Sequence, residues 1–150
     1  MIIKQLSIFL ENRTGRIREI ADLLAQAGVN IRALTLADSS DFGIMRLIVD
    51  KLDAALKCLK DNNISTALTS VVAVEVPDKP GGLAEVMNII SDSGFDIVYM
   101  YSLPEKKHNN AIMIMRFNNT EEAAAILNKQ GLSILKQEQG IWVDCALAAQ

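Results

Sequence analysis

The segment Asn12-Arg13-Thr14-Gly15-Arg16-Ile17 recurs as Asp78-Lys79-Pro80-Gly81-Gly82-Leu83, 66 residues further along the chain. A second pair keeps that offset: Ala27-Gly28-Val29-Asn30-Ile31 lies over Ser93-Gly94-Phe95-Asp96-Ile97. Between them Glu19 meets Glu85, Ile20 meets Val86, Leu23 meets Ile89 and Leu24 meets Ile90. Self-similarity at a fixed spacing is the signature of an internal repeat. Further on the offset becomes 68, with Gly43-Ile44-Met45 over Ala111-Ile112-Met113 and Leu59 over Leu127. The two extra residues are expected in the polar stretch Pro104-Glu105-Lys106-Lys107-His108-Asn109-Asn110, read as a loop, where insertions are tolerated.

Each copy reads as strand, helix, strand, strand, helix, strand. In the first, Leu6, Ile8 and Leu10 alternate along a strand over 5–10. Ile17, Ile20, Ala21, Leu24 and Ala27 then follow at helical spacing, and Gly28 ends the helix. Strands are predicted over 31–37 and 42–49, and a short one over 65–70 closes the unit. Asp53 is the predicted N-cap of the second helix. In the second copy, strands are predicted over 71–76, 96–103, 111–117 and 132–137, with an extra one at Ile141-Trp142-Val143. Leu83, Val86, Met87 and Ile90 line the first helix, Gly94 stops it, and Thr120 is the predicted N-cap of the second. The pattern is the split βαβ, or ferredoxin-like, arrangement of the α+β class: βαββαβ twice, antiparallel sheets with helices on one side. The expected domains are 1–70 and 71–150.

Composition bounds the chemistry. The chain has 150 residues, 50% apolar and only 5% aromatic, so its cores are aliphatic. A net charge of −3 offers no basic footprint for nucleic acid. No apolar run approaches the ~20 residues that span a bilayer, and Met1-Ile2-Ile3-Lys4-Gln5 does not read as a signal peptide. One histidine, His108, and two cysteines, Cys58 and Cys145, fall short of a four-ligand zinc site. Cys58 is expected to be a buried filler. A reduced, cytoplasmic protein with no metal and no cofactor is expected.

The two matched turns concentrate the polar features. Each sets Asn12 or Asp78, then a cation, then Gly15 or Gly81, just before a helix. Unpaired N–H groups at a helix start accept a carboxylate, and the Asn or Asp side chain can take an ammonium. The structural alternative is that Asn or Asp bonds its own backbone and Gly supplies a positive φ. Asn30 and Asp96 form a second pair, each opening a strand two residues after the helix-ending glycine. Such residues lie at the far end of their own unit from its first turn. Two antiparallel copies would bring Asn30 near the Asp78 turn and Asp96 near the Asn12 turn. The alternative is that both are plain turn residues.

Asn12-Arg13-Thr14-Gly15 with Gly28-Val29-Asn30-Ile31, and Asp78-Lys79-Pro80-Gly81 with Gly94-Phe95-Asp96-Ile97, resemble the fingerprint of the ACT domain family. The resemblance covers nearly the whole chain, twice, as in a stand-alone tandem ACT protein. Thr14 departs from the usual proline, which Pro80 retains. Serine-binding members carry a histidine where this chain has Leu10 and Val76. The family implies a regulatory module that binds an amino acid or related metabolite between domains, in an eight-stranded sheet for a side-by-side pair. It also implies a homo-oligomer and a separate metabolic enzyme as possible target. By this resemblance Asn12 and Asp78 hold the ligand, with Asn30 and Asp96 across the interface. Gly15, Arg16 and Ile17, and Gly81, Gly82 and Leu83, supply backbone N–H groups.

The leading expectation is therefore a non-catalytic amino-acid sensor. A structural assembly module is the alternative, with Tyr99, Met100 and Tyr101 facing a partner or, more simply, packing in the core. Enzymatic readings rest on His108 in a polar loop and on Asp38 with Asp41, a pair that also reads as a solvated turn.

Overall fold

The computed structural model describes residues 2–11, 13–38, 42–107, 109–138 and 141–144. Asn12, Asp41, His108 and Cys145 lie outside them. The chain divides into two compact units, Lys4–Thr69, and Ser70–Gln150 together with Met1–Ile3.

In the amino-terminal unit, β1 (Ile3–Glu11) alternates as expected, with Leu6, Ile8 and Leu10 on the face that meets the helices. The helix α1 (Arg16–Gln26) starts after Gly15 and ends at Ala27, and Gly28 beyond it has a φ of 67°. Strands β2 (Ile31–Asp38) and β3 (Phe42–Val49) follow, then α2 (Leu52–Asp61). Both β1 and β2 pair antiparallel with β3, giving the order β2-β3-β1. The Phe9 N–H donates to the Ser65 carbonyl at 3.2 Å, so the closing segment runs along the other side of β1. Ile20, Leu24, Met45, Leu47 and Leu59 complete the core beneath β1. Burying each such side chain contributes about 1.5–3 kcal/mol.

The carboxy-terminal unit repeats this plan. β4 (Thr66–Val76) leads into α3 (Gly82–Asp92), β5 (Ile97–Lys107), β6 (Asn110–Phe117), α4 (Thr120–Lys129), β7 (Ile134–Glu138) and β8 (Ile141–Asp144). The strand order is β5-β6-β4-β7-β8, all antiparallel. Val72, Val74, Val86, Ile90, Met115, Phe117 and Leu127 form the helix-side core. Met100 packs against that core, as the simpler of its two readings had it. The opposite face is apolar and buried too, with Val71, Ala73, Ile112, Ile114 and Leu135 within 1% of full burial.

Four local expectations are corrected. The strands predicted over 65–70 and 71–76 are one strand, β4, because no turn residue interrupts them. The two-residue insertion is not in a loop. Between the pairs Ser102↔Met113 and Lys106↔Ala111, β5 advances by four residues while β6 advances by two, so the extra residues form a bulge. Lys51, not Asp53, is the residue before α2, and it makes no side-chain cap. Asn119, not Thr120, caps α4 by accepting from the Glu122 N–H. The Thr120 hydroxyl is buried and donates back to the Phe117 carbonyl at 3.0 Å.

Candidate functional site

The two helix-entry turns are built alike, bond for bond. In the first, the Arg13 N–H donates to the Glu11 carbonyl, Arg16 to Arg13, and Glu19 to Gly15, at 2.8, 3.3 and 3.0 Å. In the second, Lys79 donates to Pro77, Gly82 to Lys79, and Glu85 to Gly81, at 3.0, 3.0 and 2.9 Å. Gly15 and Gly81 sit at φ 85° and 83°, in the left-handed region that disfavours any side chain. These bonds engage the Arg16 and Gly82 N–H groups inside the turns. Ile17 and Leu83 follow, in the first helical turn, where N–H groups have no partner within the helix. Both side chains are exposed, contrary to the core role their spacing suggests.

Charge surrounds the first turn. Arg16 contacts the Glu19 carboxylate at 2.8 Å and Arg13 contacts it at 3.2 Å. Arg13 also lies 3.9 Å from Glu11. The Arg16 hydrogen bond holds the Glu19 carboxyl below its ordinary range, helped by the charges of Arg16 and Arg13. A carboxylate with a lowered folded pKa adds stability above its unfolded pKa, and that contribution fades as pH falls through the folded value. Melting curves should therefore show wild type ahead of Glu19→Gln at pH 6, with the gap closing toward pH 3. A gap that widens on acidification would contradict this coupling. In the second turn Lys79 pairs with Glu85 at 3.1 Å.

Beside the first turn lies a cleft of about 60 Å³. Leu10 and Glu11 of β1, Arg13, Arg16 and Ile17 at the turn and the start of α1, Leu36 of β2 and Gly43 of β3 line it. Among the described residues, the predicted site residues that line it are Arg16 and Ile17. Leu10, Glu11, Arg13, Leu36 and Gly43 were not singled out for it. The available signal was Gly43 itself, a glycine inside a strand.

The remaining candidates are placed as follows. Gly15 is the residue before α1. Asn30 is exposed at the other end of α1, where its N–H donates to the Asp50 carboxylate at 2.8 Å and its carbonyl accepts from the Asp50 N–H at 3.2 Å. The nearby Gly28 carbonyl accepts from Lys51 Nζ at 2.9 Å. Asp78, Gly81 and Leu83 are exposed at the second turn, Gly82 is buried there, and Asp96 is exposed beyond α3. Cys58 is half-buried rather than a core filler, its Sγ 3.3 Å from the Leu23 carbonyl. Among the described residues no cluster of His, Cys, Asp or Glu could hold a metal ion. No described helix is long and apolar enough to cross a membrane.

A family model described as an ACT domain pair matches residues 1–142. Protein BT0572 from Bacteroides thetaiotaomicron is 38% identical, with 93% of this chain and 94% of that one aligned at a TM-score of 0.84. The regulatory subunit of aspartate kinase from Thermus thermophilus aligns over 85% of this chain and 92% of its own, at 16% identity and a TM-score of 0.60. Its counterpart from Thermus flavus aligns over 86% and 94%, at 13% identity and a TM-score of 0.57. At those identities the aspartate kinase subunits show a shared fold. No curated protein matches the chain.

Proposed function

The chain belongs to the ACT domain family, and from that premise we propose that it is a non-catalytic regulatory protein that senses an amino acid at its helix-entry turns. The observation that carries the reading is the cleft beside the first turn. Leu10, Ile17 and Leu36 give it apolar walls, while Arg13, Arg16 and Glu11 set charges of both signs at its edge. An α-amino acid has the matching chemistry: a carboxylate for the guanidinium groups, an ammonium for Glu11, and a side chain for the apolar wall. Asn12, Gly15, Arg16 and Ile17 make up the first turn of the proposed site. Asp78, Gly81, Gly82 and Leu83 are their counterparts, and Asn30 and Asp96 are the candidates outside the turns. A ligand that contacts one conformation better than another shifts the population toward it, which suits a regulator of a separate metabolic enzyme in the cytoplasm.

Calorimetry of the full chain against the twenty amino acids tests the proposal. At least one should bind with Kd below millimolar, and Arg16→Ala should weaken it about tenfold, as loss of a charge-assisted hydrogen bond does. Binding of none would end the sensor reading. The assembly-module alternative draws on different residues. Leu34 on the outer strand β2 is 53% exposed and Phe42 is 63% exposed, and apolar side chains so placed suit a protein partner. A co-purifying partner without amino-acid binding would favour that alternative.

A further inference from the structure

The two turns share a backbone but not their surroundings. Leu10 pairs with Gly43 in the amino-terminal unit, and the corresponding pair in the carboxy-terminal unit is Val76 with Ala111. A Cβ built on Gly43 would lie 3.5 Å from Leu36 Cδ1 and 4.0 Å from Leu10 Cβ, both cleft-lining residues, so it would enter the cleft. Ala111 carries that methyl group. Leu36, also in the lining, corresponds to Ser102. Arg16, another lining residue, corresponds to Gly82, where a Cβ would sit 2.0 Å from the Pro77 carbonyl oxygen and no side chain fits. These lining residues thus all differ between the copies, while the backbone of the turn itself is kept.

Resting on the sensor reading above, we propose that the cleft of the amino-terminal unit is the chain's one amino-acid site. It selects a short aliphatic side chain, and Gly43 sets its depth. The carboxy-terminal turn preserves the shape of the site without its contents. Size argues for the short side chain. A cavity that accepts a benzene ring measures about 150 Å³, whereas this cleft holds about 60 Å³. The lining argues for an aliphatic one, because Leu10, Ile17 and Leu36 supply its apolar part while Glu11, Arg13 and Arg16 are matched to the carboxylate and ammonium that every amino acid carries. The charged lining residues have capacity for the ligand's own charges. Each guanidinium has five N–H donors, and Arg13 and Arg16 converge on one shared carboxylate, Glu19. The Glu11 side chain is 76% exposed and lines the same cleft, within reach of an ammonium.

Gly43→Ala separates binding from folding. The added methyl makes ordinary contacts and Gly43 has no positive φ, so the variant should melt at or slightly above the wild-type temperature. Calorimetry of the full chain with L-alanine, L-valine, L-phenylalanine and L-lysine gives the second readout. Alanine or valine should bind at one site per chain, at least tenfold tighter than phenylalanine or lysine. Gly43→Ala should weaken the better binder at least tenfold. Two sites per chain, equal or tighter binding of phenylalanine or lysine, or undiminished binding by Gly43→Ala would each overturn the proposal while leaving an amino-acid sensor. If none of the twenty amino acids binds, both readings fall together.

Discussion

Gly82→Ala should lower the stability of the protein by about 3 kcal/mol, at the upper end of what overpacking costs. The new Cβ would sit 2.0 Å from the Pro77 oxygen, 2.9 Å from its carbonyl carbon and 3.0 Å from its Cβ. None of these atoms belongs to a flexible side chain. The proline ring fixes φ at Pro77, and its carbonyl already accepts the Lys79 N–H at 3.0 Å. Relief therefore requires opening the turn, with loss of its hydrogen bonds. Gly81→Ala is the informative comparison. Nothing lies within 4 Å of its added Cβ, but its φ is 83°, so the cost is the left-handed penalty of about 1–2 kcal/mol. Urea titrations should rank the three proteins as wild type, Gly81→Ala, Gly82→Ala, from most to least stable. Equal midpoints for the two variants would show that the turn yields to Gly82 without strain.

That contrast also shows how far the repeat could be read without coordinates. The βαββαβ order, the helix-ending glycines and the equivalence of the two turns follow from residues 66 or 68 apart, because each reflects a local backbone need. Gly15 and Gly81 need a positive φ, and both are found with one. What eluded the repeat were features set by tertiary neighbours. Gly43 reads as one more residue in a strand until its pairing with Leu10 and its nearness to Leu36 place it in the lining of the cleft. Ile17 and Leu83 fit the helical spacing of core residues, but each lies in the first turn of its helix and is exposed. Polar residues after Ser102 suggest a loop. They continue instead along β5, an outer strand of its sheet, and a bulge absorbs the insertion. Thr120 has the side chain of a helix cap, yet burial turned its hydroxyl toward Phe117 and passed the cap to Asn119.

The same Thr120 contact underlies the largest expected loss, about 4 kcal/mol for Phe117→Ala. Phe117 is fully buried, and its ring meets Phe95 edge-on, with centroids 6.4 Å apart and planes at 71°. Truncation removes apolar burial and that aromatic contact together. How much is recovered depends on whether the surroundings can collapse into the hole. Here the backbone is held. The Thr120 hydroxyl donates to the Phe117 carbonyl at 3.0 Å and accepts from the Phe117 N–H at 3.3 Å. Arg116 ties the same hydroxyl, at 3.2 Å, to the Ser70 carbonyl, at 2.9 Å. Movement of β6 toward the cavity would break this buried set of bonds, so the cavity should persist. Domains of this kind are stable by about 5–15 kcal/mol, and the loss should be evident as a large drop in urea midpoint. Adding Thr120→Val to Phe117→Ala should then cost less than the two separate effects combined, since a freed strand can relax into the hole. A loss below about 1 kcal/mol for Phe117→Ala alone would mean that the strand already moves freely, and that the Thr120 bonds do not anchor it.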